Sequence, residues 1–180
     1  MKKRAILFVS AILILTCMSG MCAFAFTDIE SNNALYTTAE DLSKLGIVAG
    51  YEDNTFRPEN NVSRVEMTAL CRRLLPPLKK SVGVFNANMK FSDIDNRHWA
   101  ADSVRIMTDM GYINGYEDNS FRPDNNVTLS EAAAILSRML GYESMASTTG
   151  GYPNGYLNVM KSLGITDGFE KADPDTTLTR

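Results

Sequence analysis

The sequence predicts a mainly α-helical protein built from helix–loop–helix repeats, and a duplicated loop is the main reason for this prediction. The stretch GYEDNTFRPENNV at residues 50–62 returns as GYEDNSFRPDNNV at residues 115–127, with 11 of 13 positions identical. An apolar residue and a glycine precede each copy, and a Ser/Thr-x-x-Glu helix-start pattern follows each one. The residues are Leu45-Gly46 and Met110-Gly111 before the loops, and Ser63 to Glu66 and Thr128 to Glu131 after them.

Apolar spacing predicts the helices of each unit. The second helices carry apolar residues at intervals of three and four, with Met67, Leu70, Cys71 and Leu74 in one unit and Ala132, Ile135, Leu136, Met139 and Leu140 in the other. In the first unit, the first helix is expected to start near Thr37 or Thr38 and to stop at Gly46. The corresponding helix of the second unit is expected to run from Trp99 to Met110.

A third and weaker unit ends the chain. Tyr156 to Leu163 has the pattern of a short amphipathic helix that stops at Gly164. Residues 145–149 are small and polar, and predict a mobile loop before that helix.

The N-terminus has the layout of a secretory leader. Lys2-Lys3-Arg4 precedes an apolar run from Ala5 to Leu15, and Ala23-Phe24-Ala25 provides a cleavage site. The apolar run is shorter than the ~20 residues of a membrane-spanning helix, so no integral membrane anchor is expected after cleavage. Removing 25 residues takes away three of 18 basic residues and none of 21 acidic ones, so the formal net charge falls from −3 to −6. This acidity disfavours a nucleic-acid partner.

The repeated residues resemble the S-layer homology domain, whose consensus joins F-x-D, a Trp-Ala helix start, a G-Y-x-D-G-x-F-R-P loop and T-R-A-E. The matching residues are Phe26-Thr27-Asp28 and Phe91-Ser92-Asp93, Trp99-Ala100, and Phe56-Arg57-Pro58 and Phe121-Arg122-Pro123, with Asn54 and Asn119 where the family often has glycine. The partial third unit matches at Leu163-Gly164-Ile165, Pro174 and Leu178-Thr179-Arg180. Because the chain stops within this motif, we expect an N-terminal piece of a longer protein or a truncated gene product.

The resemblance implies an organisation and a fold. We expect a signal peptide at 1–25, a first repeat at 26–76, a connector at 77–90, a second repeat at 91–141 and a partial third repeat at 142–180. The implied fold is a pseudo-threefold assembly in which the second helices form a central bundle and ligand grooves lie between adjacent repeats.

The implied function is non-covalent anchoring of an exported protein to the bacterial cell wall. The partner is an acidic, commonly pyruvylated secondary cell-wall polysaccharide attached to peptidoglycan, and other S-layer subunits are further candidate partners. The implied location is the cell wall or the S-layer at the cell surface. No enzymatic activity, cofactor or metal is expected.

Arg64 is the main candidate for polysaccharide binding. An arginine in the first turn of a helix opposes the helix dipole, so it indicates either a partner carboxylate in the loop or an incoming anion at the free N–H groups of that turn. The loop carboxylates are Glu52, Asp53 and Glu59. The arginine of the family's T-R-A-E motif contacts the acidic saccharide, which implies this role for Arg64 and for Arg180. Leu129 replaces that arginine in the second repeat, and Arg180 is expected on a frayed chain end.

Five further residues are candidate ligand contacts, each beside a structural alternative. Asp28 and Asp93 would accept hydrogen bonds from the ligand or cap the following turn. Trp99 would stack on a sugar face or pack in the core. Gly50 and Gly115 would allow positive φ and close approach of ligand to backbone, or serve only the turn geometry. Arg57 and Arg122 are expected to pair with loop acids.

The main alternative is a calcium-binding module of the EF-hand or dockerin type, because duplicated acidic loops flanked by helices share its outline. The spacing disfavours it, since Pro58 occupies the position that requires glycine and Arg64 the position that requires glutamate. Glu52 and Asp53 are adjacent on a loop, which also disfavours a glycoside hydrolase. His98 is predicted to be a helix-start residue and Cys71 a buried structural thiol.

Overall fold

The computed structural model describes residues 26–76, 89–167 and 171–180, and these contain six α-helices and no β-strand beyond isolated bridges. The helices are α1 (Ala34–Lys44), α2 (Arg64–Leu74), α3 (Ala101–Asp109), α4 (Leu129–Met139), α5 (Glu143–Thr148) and α6 (Asn154–Ser162). The predicted mainly-α class is confirmed. None of these helices is long and apolar enough to cross a membrane. The predicted leader and most of the connector lie outside the described residues.

Local sequence signals set the helix ends. The side chains of Ser63 and Thr128 accept a hydrogen bond from the backbone N–H of the third helical residue, and the glutamate side chain there accepts one from the backbone N–H of the cap residue, so both capping boxes form. Gly46, Gly111 and Gly164 follow α1, α3 and α6 with φ of 70°, 73° and 70°, a conformation that glycine adopts without steric cost. The predicted glycine stops are confirmed.

Two predictions about helix positions are wrong. Helix α1 begins at Ala34 rather than near Thr37, because the Asn33 side chain accepts from Leu35 N–H and caps the helix there. Residues 143–148 form α5 rather than a mobile loop, since Ala146 is fully buried against α6. A Cβ on Gly155 would overlap the Ala146 carbonyl oxygen, so glycine permits this close packing.

The chain divides into two compact units. The smaller contains residues 26–45 and 49–56, and its aromatic pair is Phe26 with Phe56, whose ring centroids are 5.0 Å apart. Phe56 is 4% exposed, so it anchors the loop as predicted. The larger unit contains residues 46–48 and the described residues from 57 onward.

The core of the larger unit is formed by the apolar faces of α2, α3 and α4. Its buried members include Val65, Cys71, Val104, Met107, Ile113, Phe121 and Ile135. Burial raises the pKa of the Cys71 thiol to about 12, which confirms the predicted structural thiol.

Three backbone hydrogen bonds in the larger unit form a closed cycle just before the second helices. Val62 N–H donates to Leu178 O (2.8 Å), Leu178 N–H donates to Val127 O (3.0 Å), and Val127 N–H donates to Val62 O (2.9 Å). Each of these residues stands two positions before the site of the T-R-A-E arginine in its repeat. The cycle therefore joins equivalent positions of the three sequence repeats.

The first turns of α2 and α4 are occupied by protein acceptors. The N–H groups of Arg64 and Val65 donate to Asn125 O and Pro123 O, and those of Leu129 and Ser130 donate to Thr176 O and Pro174 O. The next N–H of each helix donates to its capping hydroxyl. The first-turn N–H groups of α2, which were expected to be free for an incoming anion, are therefore already occupied, because the following repeat provides their acceptors.

Candidate functional site

The Arg64 side chain reaches from the start of α2 into the loop of the second repeat. Its Nε donates to Phe121 O at 3.0 Å, Nη2 donates to Asn114 O, and Nη1 donates to Glu131 Oε1 at 3.4 Å. The side chain is 8% exposed. Among the described residues, acceptors are therefore present for three of the five guanidinium N–H groups.

Aromatic rings line this guanidinium pocket. The Arg64 guanidinium carbon lies 5.0 Å from the centroid of the Tyr116 ring and 5.1 Å from that of Phe121. The Tyr116 hydroxyl donates to the same Glu131 oxygen at 3.1 Å, and burial raises the pKa of that hydroxyl. An aromatic face favours a cation electrostatically, by about 0.5–2 kcal/mol depending on burial. The pocket therefore fixes the guanidinium in one position.

Glu131 connects the pocket to the helix start. One carboxylate oxygen accepts from Arg64 and Tyr116, while the other accepts from Thr128 N–H at 3.0 Å as part of the capping box. The expected pairing of Arg64 with Glu52, Asp53 or Glu59 is thus replaced by an ion pair with Glu131 of the second repeat. Sequence reasoning missed Glu131 and Tyr116 because both partners are more than 50 residues away from Arg64.

Asp93 fixes the loop that forms this pocket. Its two carboxylate oxygens accept from Phe121 N–H and Arg122 N–H, each at 2.7 Å. In the smaller unit, Asp28 accepts from Phe56 N–H at 2.7 Å. Both aspartates thus bind backbone N–H groups 28 or 29 residues ahead in the chain.

Gly115 and Gly50 serve close packing rather than an unusual backbone conformation. Neither glycine has positive φ, contrary to the prediction. A Cβ on Gly50 would lie 2.6 Å from Phe26 Cε1, and one on Gly115 would overlap the Phe91 ring. The positive φ values occur instead at non-glycine loop residues, with Asn119 at 60° and Arg122 at 57°.

Trp99 is 63% exposed and lies in the turn before α3 rather than on the helix. Packing in the core, the structural alternative for this residue, is therefore wrong. Its ring is 5.6 Å from that of His98, whose Nδ1 accepts from Ala100 N–H and supports the helix start. The exposed indole is free to meet a ligand face.

Arg180 is held at the chain end. Its backbone N–H donates to Asn60 O at 3.1 Å, and Thr179 pairs with Asn61 in an antiparallel bridge. The predicted frayed end is wrong, because these bonds attach residues 179 and 180 to the segment before α2. Leu129, at the position of the missing arginine, is 8% exposed.

In the acidic loop of the second repeat, the Asp118 carboxylate is bound by donors from the same loop. Asp118 accepts from Ser120 N–H at 3.0 Å and pairs with Arg122 at 3.1 Å, as expected for Arg122. Hydrogen bonds from Ser120 and Arg122 lower the Asp118 pKa to about 2. The Arg122 guanidinium carbon stacks on Tyr116 at 3.8 Å from the ring centroid. In the described ranges no group of three or more acidic, histidine or cysteine side chains could hold a metal ion.

Comparison with known sequences gives one family. The sequence model of the S-layer homology domain matches residues 25–68 and 90–133. These ranges contain both F-x-D motifs, both loops and the starts of both second helices.

Three similar proteins carry names that refer to a surface layer, the cell surface or anchoring. The chain is 31% identical over 136 residues to "Surface layer protein" of Brevibacillus choshinensis, covering 76% of this chain and 12% of that protein. It is 31% identical over 146 residues to "Cell surface glycoprotein 1" of Acetivibrio thermocellus, covering 72% and 6%. It is 34% identical over 91 residues to "Cellulosome-anchoring protein" of the same species, covering 51% and 20%. The chain thus matches no more than a fifth of the length of these three relatives.

Proposed function

Because this chain belongs to the S-layer homology domain family, we propose that it anchors an exported protein non-covalently to the bacterial cell wall. The surface-layer and cell-surface relatives confirm the predicted location at the cell wall or cell surface. The anchoring role is supported by the relative named as a cellulosome-anchoring protein. The module itself performs no catalysis in this proposal.

The proposed ligand is an acidic secondary cell-wall polysaccharide, with a pyruvate ketal as its acidic group. The observation that carries this choice is the guanidinium pocket, in which Arg64 is held between two repeats by Phe121, Asn114 and Glu131. An acid at this position meets a cation that has already lost its rotational freedom, so little entropy remains to be lost on binding. Arg64 would offer the edge of the guanidinium that remains exposed.

Asp93 and Gly115 belong to the same site in this proposal, because both shape the loop that carries the acceptors of Arg64. Asp28 and Gly50 occupy the equivalent positions of the first repeat. Trp99 supplies an exposed ring for stacking on the sugar. Arg180 would be the cation of the third repeat. The closed cycle at Val62, Val127 and Leu178 supports a pseudo-threefold arrangement with grooves between adjacent repeats.

A wall pull-down tests the proposal. The secreted chain should sediment with purified walls and should remain in solution with walls stripped of their secondary polymer. Equal sedimentation with stripped walls would refute a polysaccharide ligand. Trp99 is the only tryptophan, so soluble polymer should shift its emission to shorter wavelength as the exposed ring is covered.

Arg64→Lys tests the contact with the acidic group of the polymer while keeping the positive charge of the side chain. Lysine lacks the planar fork that donates to two carbonyls and a carboxylate together, so wall affinity should fall roughly tenfold. Leu129→Arg should instead strengthen binding, because it restores a guanidinium at the second groove. Met160→Ala is the matched control, since Met160 is fully buried in α6 within a different core cluster from Phe121, so its truncation should cost stability away from the pocket. If the control loses as much affinity as Arg64→Lys, the effect belongs to folding and the contact is refuted.

A further inference from the structure

The third repeat presents an exposed aromatic ring at the position of Trp99. Helices α3 and α6 are both nine residues long, and each is followed by a glycine two positions beyond its end. Aligning the two repeats on these landmarks gives an offset of 53 residues. Tyr152 is then the equivalent of Trp99, and each of the two residues lies two positions before its helix. Trp99 is 63% exposed and Tyr152 is 58% exposed. The equivalent residue of the first repeat is Ala34, which has no ring.

The Tyr152 ring packs against a second aromatic ring, that of Tyr156. Its centroid lies 6.3 Å from the ring of Tyr156 at an interplanar angle of 60°, within the range of favourable aromatic pairs. Tyr156 is 4% exposed, and its hydroxyl donates to Glu143 at 2.8 Å. A buried and hydrogen-bonded ring therefore backs an exposed one, so stacking on Tyr152 orders little additional structure.

The hydroxyl of Tyr152 lies near residues at the start of α4. Burial and the Glu131 carboxylate raise the pKa of its hydroxyl, while hydrogen bonding with Ser130 and Thr128 lowers it, with burial as the largest influence. These residues flank Leu129, where the family arginine is missing. Tyr152 therefore stands at the second groove, beside a helix start with no guanidinium on its first residue.

We propose that Tyr152 is a second stacking platform for the wall polysaccharide, and that it binds the apolar face of an uncharged sugar unit. This inference rests on the proposed function and deepens it, because the two grooves would then recognise different parts of one polymer. The Arg64 pocket would take the acidic unit. Tyr152 would take a neutral unit, since neither Leu129 nor the ring supplies a counter-charge.

The exposure of the Tyr152 ring explains why it would bind the apolar face of a sugar. A ring that is more than half exposed leaves apolar surface in water, and a pyranose face covers such a surface while its hydroxyls stay solvated. The hydroxyl of Tyr152 lies close to Thr128 and Ser130 at the start of α4. The ring face, rather than the hydroxyl, is then the binding group.

The experiment compares three variants of the secreted chain in binding to soluble wall polymer. Tyr152→Ala should weaken binding about five- to tenfold, Tyr152→Phe should stay within about twofold of the parent, and Tyr152→Trp should bind at least as tightly as the parent. Met145→Ala is the matched control, because Met145 is 50% exposed on α5 and its truncation also removes exposed apolar surface. The control should bind as the parent does.

Carboxyl-reduced polymer separates the two grooves. The loss caused by Tyr152→Ala should be equally large on native and reduced polymer, whereas the loss caused by Arg64→Lys should disappear on reduced polymer. If the parent binds and Tyr152→Ala binds equally well, or if Tyr152→Trp abolishes binding, this inference alone is overturned. A parent chain that fails to bind native polymer overturns the proposed function and this inference together.

Discussion

Replacing Arg64 by alanine should strongly destabilise the larger unit. The change removes three hydrogen bonds from a charged donor and leaves Phe121 O, Asn114 O and the Glu131 carboxylate without that donor. Hydrogen bonds to charged groups contribute about 1.5–3 kcal/mol each, and breaking one side of a buried ion pair costs about 3–5 kcal/mol in total. The 3.4 Å distance to Glu131 and the partial exposure of that carboxylate place this case at the lower end. We expect a loss of about 3 kcal/mol.

Urea unfolding followed by circular dichroism measures this loss. With a slope of about 2 kcal/mol per molar urea, the midpoint should fall by roughly 1.5 M. Arg73→Ala is the matched control on the same helix, because Arg73 is exposed and donates to the Ile47 carbonyl at 3.1 Å. Its midpoint should move by less than about 0.3 M, as is usual for surface substitutions.

A double-mutant cycle isolates the ion pair. Arg64→Ala and Glu131→Gln together should cost less than the sum of the single changes by about 1 kcal/mol, because the two side chains share one interaction. An Arg64→Ala midpoint within 0.3 M of the parent would refute the view that this guanidinium joins the first and second repeats. Additive single changes would refute only the contribution of Glu131.

Three further predictions concern other parts of the structure. Gly115→Ala should cost about 1–3 kcal/mol in urea unfolding, because the new methyl group overlaps the Phe91 ring, and an unchanged midpoint would show that the ring moves away freely. The Cys71 thiol should react with a disulfide reagent only after unfolding, and fast reaction at pH 8 would contradict its burial. Because burial raises its pKa from the ordinary 9 to about 12, its contribution to the free energy of unfolding should be fully present below pH 9 and should be lost as the pH rises toward 12. Removing residues 174–180 deletes the acceptors of Val62, Leu129 and Ser130 N–H, so these amides should lose protection in hydrogen exchange, and unchanged protection would mean that other groups replace the deleted acceptors.

Local signals predicted the parts of the fold that depend on neighbouring residues. The capping boxes at Ser63 and Thr128 and the stop at Gly111 each need only a few residues of chain, so the sequence contains all the information about them. The short helix α5 lacks such signals, because no side chain caps it and its residues are small and polar. Its formation depends on burial of Ala146 against α6, which no local pattern records.

The sequence named candidate site residues but not their contacts in the fold. Arg64 and Asp93 were identified from the family resemblance, whereas their partners depend on how one repeat packs against the next. Asp93 binds a loop 28 residues ahead, and Arg64 binds Glu131 67 residues ahead. Tyr152 did have a sequence signal, since aligning Gly164 with Gly111 places it opposite Trp99.

The internal repetition of this chain separates structural from binding requirements. Pro123, Pro174 and their neighbours accept hydrogen bonds from the helix start of the preceding repeat, although the third repeat lacks the Phe-Arg pair of the other two loops. The backbone carbonyls at and after these prolines are therefore sufficient to accept from the preceding helix start. The first helical residue, which is Arg64 in one repeat and Leu129 in the next, changes without disturbing this pattern. Because its backbone N–H has the same kind of acceptor in both repeats while its side chain differs, the side chain at this position can change while the fold stays the same. In the proposed function, this variation would let the grooves differ in specificity.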